Sequence, residues 1–485
     1  MDRITRRRFL EQSLWVAAAG LAGVGLAEDA QAHSGSRPRR MGANDKIHIA
    51  CIGVNGRGMS HVGAYLDRND VELVAICDAD ESVIPRAQEA AVKKGKTKPA
   101  AVQDIRKLLE DKSIDAVSIA TPNHWHALAA IWAMQAGKDV YVEKPVSHNV
   151  SEGRRIVEVA RKTGHICQAG TQSRSAQACR DAMAFIHSGK IGKVLLSRGL
   201  CYKRRDSIGK TDGPLPIPES INYDLWLGPA PQKPPMRKHF HYDWHWFWDY
   251  GNGDLGNQGI HQMDIARWAL NKKTLPHSVM GLGGRFGYVD DGETPNTELS
   301  FYDYGDMHLI FEVRGLKTDG LKDTKIGNIV YGTDGYVVFS DNYGKSAAFD
   351  NKDNMIQKFS GGGDHFANFL DAVRSRKMAD LHADVEEGHL SSALCHLGNI
   401  SYRLGDMQPF NPKTSAFGDN KDAAETFGRF EQHLADNGVK LEEASYRLGP
   451  TLRIDPKKER FHDSPQANAM LTRDYRAPFS VPQKA

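Results

Sequence analysis

Short apolar runs alternate with longer amphipathic stretches through the first third of the chain. Residues 47–52, 71–78, 114–120, 139–145 and 165–170 are apolar almost throughout. Runs this short and continuous predict strands buried on both faces. Between them, residues 60–67, 81–94, 105–109, 126–136 and 151–163 carry helical spacing, with Gly137 and Gly164 just past two of the ends. Glycine in that place closes a helix in the left-handed conformation. Strands alternating with such helices imply right-handed crossovers, so the expected fold is α/β with a parallel, doubly wound sheet. Ligands of such sheets sit beyond the carboxyl ends of the strands. Asn55, Asp78, Thr121, Pro122, Asn123, Glu143, Lys144, Pro145 and Gln172 follow those ends and are expected to border one crevice.

The pattern changes after about residue 176. A helix over 177–187 and a strand over 192–202 lead into a passage rich in proline and aromatic residues. Alternating runs at 296–304, 307–314, 327–331 and 336–340 follow, separated by turn signals such as Thr333-Asp334-Gly335. They predict an antiparallel sheet and so a second domain of α+β type, with long helices over 364–374 and 386–404. Beyond Gly405 the chain is polar, with one helix over 423–436, and reads as an extension wrapping the body. The expected division is 1–32, 33–44, 45–170, 171–405 and 406–485.

Where the first strand ends, Gly53-Val54-Asn55-Gly56-Arg57-Gly58 leads into a helix. A glycine-rich turn from strand to helix aims backbone N–H groups and the positive helix end at one point, which suits a pyrophosphate. In the pattern G-x-G-x-x-G the middle glycine is replaced by Asn55, a residue that tolerates positive φ better than most. The second strand ends in Asp78, 78 − 58 = 20 residues after Gly58. An acid at that offset takes a ribose hydroxyl, and its charge repels a 2′-phosphate, favouring NAD over NADP. Arg57 argues weakly the other way.

Composition narrows the class. A formal net charge of +3 over 485 residues, a quarter of them charged, describes a globular protein without a nucleic-acid stripe. No segment reaches the roughly 18 to 20 apolar residues needed to cross a bilayer. Thr5-Arg6-Arg7-Arg8-Phe9-Leu10 resembles the twin-arginine export motif; an apolar run over 14–27 and Ala30-Gln31-Ala32 follow as body and cleavage site. Residues 1–32 are therefore expected to be a signal for the twin-arginine machinery, 33–44 a linker, and the mature protein periplasmic. Six cysteines without a C-x-x-C pair read as small buried hydrophobes rather than a disulfide framework.

Lys144 is the first candidate for chemistry, because a lysine at a strand's carboxyl end followed by proline stands at the crevice. Oxidising an alcohol needs a base for the hydroxyl proton, and a nearby positive ring favours the neutral amine. Glu143 is expected to hold Lys144 in place. His261, in a helix starting near Gly259, is the second candidate, sharing a face with Asp264. The aromatic stretch 239–250 suits a carbohydrate cleft, with Trp244, His245, Asn257 and Asp264 as substrate contacts; a buried aromatic plug or a subunit contact is the alternative. No zinc-type spacing occurs among its histidines, so no metal is expected. Tyr202, Lys203, Arg204 and Arg205 either meet a substrate or form a solvated charge run.

In this order, G-V-N-G-R-G, V-A-I-C-D, A-T-P-N-H-W-H, V-E-K-P and G-N-Q-G-I-H-Q-M-D-I-A-R-W resemble the glucose–fructose oxidoreductase and inositol dehydrogenase (Gfo/Idh/MocA) family over roughly residues 45–405. The resemblance implies a Rossmann domain followed by an α/β domain with an open antiparallel sheet, which often makes the oligomer interface. It also implies NAD(P)-dependent redox chemistry on sugars, polyols or glycosides by a homo-oligomer. Gly53, Asn55, Gly56, Arg57 and Gly58 would hold the pyrophosphate and Asp78 the ribose. Thr121, Pro122, Asn123, His126, Glu143, Lys144 and Gln172 would border the nicotinamide. Many members carry an acid where Asn257 stands, which leaves Lys144 with His261 as the proton-handling pair. Some relatives are glycosidases that oxidise a sugar transiently with bound NAD, and that activity is the alternative; a non-catalytic nucleotide-binding sensor is the third. Export of a folded protein suits a tightly bound cofactor.

Overall fold

The computed structural model describes residue 42 and residues 45–341 and 343–484. The twin-arginine segment and, Gly42 apart, the linker lie outside the described residues. Six strands, β1 (Ile47–Ile52), β2 (Val71–Cys77), β3 (Ala100–Val102), β4 (Ala116–Ile119), β5 (Asp139–Val142) and β6 (Cys167–Ala169), form a parallel sheet in the order β3-β2-β1-β4-β5-β6. The crossovers contain helices α1 (Gly58–Leu66), α2 (Ile84–Lys93), α3 (Ile105–Glu110), α4 (Asn123–Gln135) and α5 (Val150–Thr163). β4 and β5 are buried along their whole length, as continuous apolar strands between two helical layers must be. The strand order reverses between β1 and β4, which opens a crevice above their carboxyl ends.

Local signals explain most of these bounds. Asn149 caps α5 by accepting from the Glu152 amide, and Gly164 closes it at φ +71°. α4 starts three residues before the expected His126, because Pro122 stands at its cap and leaves Asn123 as the first helical residue. β3 was not anticipated: three residues at an exposed edge carry no readable pattern.

The second sheet is built from β7 (Val194–Cys201), β8 (Ser278–Gly284), β9 (Thr297–Asp303), β10 (His308–Arg314), β11 (Ile326–Gly332), β12 (Gly335–Phe339), β13 (Lys345–Asp350), β14 (Met355–Ser360), β15 (Asp406–Pro409) and β16 (Ser445–Leu448). Their order is β14-β13-β12-β11-β7-β10-β9-β8-β16-β15, with β17 (Leu452–Asp455) also pairing β8. All neighbours are antiparallel except β7 and β10, which run parallel. The rest of the domain includes α6 (Gln177–His187), α7 (Gly259–Ala269), α8 (His365–Ser375), α9 (Val385–Arg403) and α10 (Lys421–Asp436). β8 is glycine-rich and was not expected to be a strand. Its glycines serve packing: a Cβ on Gly281 would come within 2.5 Å of the Gly398 carbonyl on α9. Residues 406–485 do more than wrap the body, since β15, β16 and β17 extend the sheet beside β8.

Two later segments return to the parallel sheet. Phe369, Leu370 and Val373 of α8 pack with Ile47, Ile49 and Leu73, and Phe479 and Val481 pack with Trp125 and Leu128 of α4. All six cysteines are buried and free. Among the described residues no helix is long and apolar enough to cross a membrane. Because Phe369 is fully buried between α8 and the sheet, Phe369→Ala should cost about 3–5 kcal/mol of stability in a denaturant titration; a loss near zero would mean that α8 does not anchor the parallel sheet.

Candidate active site

The glycine turn is shaped by contacts that leave no room for side chains. Gly53 has φ +81°, and a Cβ there would come within 2.7 Å of the Thr121 amide at the end of β4. A Cβ on Gly58 would lie 1.8 Å from the Gly53 carbonyl, so glycine lets α1 start against the turn. A Cβ on Gly56 would meet nothing within 4 Å, which leaves the backbone open on the cleft side. Asn55 does not take the positive φ that its place in the pattern suggested. The replacement of the middle glycine therefore carries no strain. The first residues of α1 have no side-chain cap; the Met59 and Ser60 N–H groups donate to the Gly56 and Arg57 carbonyls at 3.0 and 2.9 Å, and the positive helix end is left without a side-chain anion.

Glu143, at the end of β5, is the electrostatic centre of this region. One of its oxygens accepts from Arg57 Nε at 2.8 Å and Gln172 Nε2 at 2.9 Å, and lies 3.1 Å from His61 Nε2. Burial works against the anion, but the His61 hydrogen bond and the Arg57 charge hold its carboxyl well below the usual range. Glu143 does not hold the Lys144 amine, contrary to expectation; its second oxygen meets only the Lys144 backbone N–H, at 3.2 Å. The side chains of consecutive strand residues diverge, so Lys144 turns to the other domain. Its Nζ donates to the Asn257 carbonyl at 2.9 Å and lies 3.4 Å from Asn257 Oδ1. Burial lowers its pKa, opposed by the Glu143 charge.

One cleft of about 530 Å³ collects most of the sequence-expected residues. Gly53, Asn55, Gly56, Arg57, Asp78, Thr121, Pro122, Asn123, His126, Glu143, Lys144, Gln172, Trp244, His245, Asn257 and His261 all line it. Gly58 lies behind the turn. Asp264 is excluded: it is fully buried, paired with Arg174 at 2.7 and 2.8 Å and with Ser391 at 2.7 Å. It shares the helix with His261, but the Arg174 guanidinium arriving from the end of β6 claims its carboxylate. Its place as a substrate contact is therefore corrected to one that fixes α7 against α9 and the segment that follows β6.

His261 and His245 are uncharged at neutral pH. Burial, then the Lys144 charge, pushes His261 down to about 3, and its Nδ1 is buried without a hydrogen-bond partner. Burial takes His245 to about 3 as well, and its ring stacks on Trp244 with centroids 3.7 Å apart. Asp78 accepts from the amides of Val54 at 2.8 Å and Asp80 at 3.0 Å, which aims its carboxylate into the cleft. Thr121 Oγ1 is likewise buried without a partner. Among the described residues no group of three or more His, Cys, Asp or Glu is placed to hold a metal.

Sequence reasoning missed the far wall. Residues 203–250 cross from the second domain over the carboxyl end of the parallel sheet. Asn222 N–H donates to the Ala79 carbonyl at 2.9 Å, Trp125 Nε1 to Leu225 at 3.0 Å, and His241 Nε2 lies 2.8 Å from Asp80 Oδ2. Leu225, Trp226, His241 and Tyr242 thereby face Asp78, Gln103, Asp104 and Ile105 across the cleft. The signal available was the excess of aromatic residues in 239–250, more than a surface loop needs. Of the charge run, Tyr202 and Arg205 are engaged internally with Glu312 and Asp254.

The uncapped helix end, the open backbone at Gly56, the buried Thr121 hydroxyl and the carboxylate of Asp78 fit a dinucleotide lying across this cleft. Gly58→Ala should push α1 off the turn, lowering the melting temperature and the nucleotide that copurifies; an unchanged melting curve and nucleotide content would contradict the close contact.

Comparisons with known proteins agree with this architecture. Residues 47–171 match the model of an oxidoreductase family, NAD-binding Rossmann fold, and residues 193–431 match that family's C-terminal alpha/beta domain. The chain is 34% identical over 208 residues to a glycosyl hydrolase family 109 protein of Shewanella sp. (strain ANA-3) and 33% identical to an alpha-N-acetylgalactosaminidase of Shewanella oneidensis. Each match covers 40% of this chain and 45% of the relative, so it spans less than half of those proteins. The fold is shared with levoglucosan dehydrogenase in complex with NADH and L-sorbose (TM-score 0.55, 18% identity, 73% of this chain and 96% of that one). It is shared also with the WlbA dehydrogenase of Bordetella pertussis in complex with NADH and UDP-GlcNAcA (TM-score 0.52, 20% identity, 72% and 94%). With both domains matched in order around one cleft, this chain belongs to the Gfo/Idh/MocA oxidoreductase family.

Proposed function

We propose that the protein is an NAD-dependent oxidoreductase acting on a hydroxyl of a sugar, polyol or glycoside. The observation that carries this reading is the convergence of the glycine turn, Asp78, the Lys144 amine and the orphan His261 Nδ1 on one cleft. NAD would supply the hydride acceptor at its nicotinamide ring. As the C–H hydride leaves the substrate carbon, the hydroxyl proton passes to Lys144 Nζ. Burial favours the neutral amine this requires, and the Asn257 oxygens orient it. His261, neutral and unpaired, hydrogen-bonds the same or a neighbouring hydroxyl. The Trp244–His245 stack offers an apolar face to a sugar ring.

Asp78 lies among Asp80 and Asp104 at the far end of the cleft, a concentration of negative charge that favours NAD over NADP. Residues 203–250 lie over that end, which supports a tightly retained cofactor. The arginine motif at residues 6–8 supports export through the twin-arginine pathway to the periplasm. The exposed edge strand β14, with Met355 and Ile356 half exposed, supports self-association.

Lys144→Ala should lower kcat about 10²- to 10⁴-fold while leaving bound nucleotide in place, read as nicotinamide absorbance after single-turnover mixing with sugars. The wild-type rate should rise with pH through a midpoint below the ordinary lysine range, since a pKa lowered by burial leaves more of the base form. A variant as active as wild type, or a flat pH profile, would remove Lys144 from the chemistry.

The family 109 relatives favour a second reading, in which oxidation is transient, the neighbouring C–H is lost as a proton, the glycosidic bond is eliminated, water adds across the resulting double bond and the hydride returns. Release of nitrophenol from a nitrophenyl glycoside with no net NADH would establish that reading. Glycoside left intact while NADH accumulates would exclude it.

A further inference from the structure

The substrate end of the cleft holds more positive charge than its carboxylates neutralise. Four cations act there: Arg57 and Lys144 line the cleft, and Lys203 and Arg205 stand close enough for their charge to act on its His245 wall. Two of them are paired, Arg57 with Glu143 at 2.8 Å and Arg205 with Asp254 at 2.6 Å. The other two grip neutral oxygens of consecutive residues: Lys144 Nζ the Asn257 carbonyl at 2.9 Å, and Lys203 Nζ the Gln258 Oε1 at 3.1 Å. Among the described residues neither ammonium has a carboxylate within ion-pair distance. Lys203 is half buried and emerges from the end of β7. The charge of both lysines, with that of Arg205, reaches His245 on the cleft wall, where it adds to burial in holding the ring neutral.

Partly buried cations without a carboxylate in direct contact are costly, and the cost is relieved when a ligand brings an anion to them. The cofactor's pyrophosphate is not that anion, because the helix end and open backbone suited to it lie at residues 53–58 of the first domain. We infer that the substrate is an anionic sugar, and that Lys203 is the residue that anchors its charged substituent while Lys144 faces the reacting hydroxyl. This rests on the oxidoreductase reading and narrows its substrate class. A carboxylate of a uronic acid and a phosphate ester of a sugar present the same chemistry to an ammonium.

The test uses the NAD-loaded full-length protein with glucuronate, galacturonate, glucose 6-phosphate and the neutral parent sugars. Two readouts run in parallel: reduction of bound NAD, and ligand binding by quenching of tryptophan fluorescence. In the wild type, one of the two anionic classes should bind and react at least about tenfold better than its neutral parent, and which class does so names the substituent. Lys203→Gln should erase that preference, leave the neutral sugars within about threefold of wild type and leave nucleotide content unchanged, whereas Lys203→Arg should retain most of it. Neutral sugars bound and oxidised as well as anionic ones would overturn the proposal and leave the oxidoreductase reading standing. An anionic preference in binding without any NAD reduction would overturn that reading and keep the anchor. A preference that survives Lys203→Gln would overturn the assignment to Lys203.

Discussion

A single buried carboxylate holds the active-site region together. The side chain of Glu143 is only 4% exposed, and its anionic charge ties the strand end to two other pieces of chain, the turn and helix of residues 57–61 and the segment at Gln172. Arg57 comes from the glycine turn, His61 from the first helix and Gln172 from beyond the last parallel strand. Removing one partner of such a buried cluster leaves a charge uncompensated, which costs about 3–5 kcal/mol in comparable cases. The same anion stands one residue before Lys144 on a strand whose alternation sends the two side chains apart. One supports the glycine turn while the other crosses to the second domain, so one strand end joins the turn to Asn257.

The second domain is built around that link. Helix α7 carries His261 toward the cleft, and Asn257 and Gln258 just before it take the two lysines. The helix is fixed to the segment that follows β6 by the Arg174–Asp264 pair, buried on both sides and joined by Ser391 of α9. Helix α8 and the segment around Phe479 return to the parallel sheet from far along the chain. The two domains therefore meet through packed surfaces, which suits a site that needs its groups held closely in register.

The wall formed by residues 203–250 adds a second consequence. It meets the Asp78–Asp80 corner through His241, 2.8 Å from Asp80 Oδ2, and lines the cleft with Trp226, Tyr242, Trp244 and His245. The same stretch thus shields the cleft from water. Exclusion of water strengthens every charge interaction inside; burial keeps His245 and His261 in their proton-accepting forms and lowers the Lys144 pKa.

The alternation of apolar strands and helices, the glycine turn with Asp78 at its proper offset, and the strand ends bearing Thr121, Glu143 and Lys144 were legible without coordinates, because local pattern and spacing dictate them. So was His261, through its helix. Where the chain had to be read across distance, the pattern was silent. Glu143 was taken as the partner of Lys144 because they are adjacent, yet pleating sends them to different neighbours. Asp264 shares a helix with His261, but a guanidinium from another element turned it into a packing contact. The glycines of β8 hid a strand because their purpose is to admit α9, and the polar tail hid strands that join the sheet only through β8. Side-chain chemistry and local conformation are written along the chain; which charge meets which, and which face is left to the cleft, depends on desolvation and packing between segments hundreds of residues apart, and only the tertiary structure decided those.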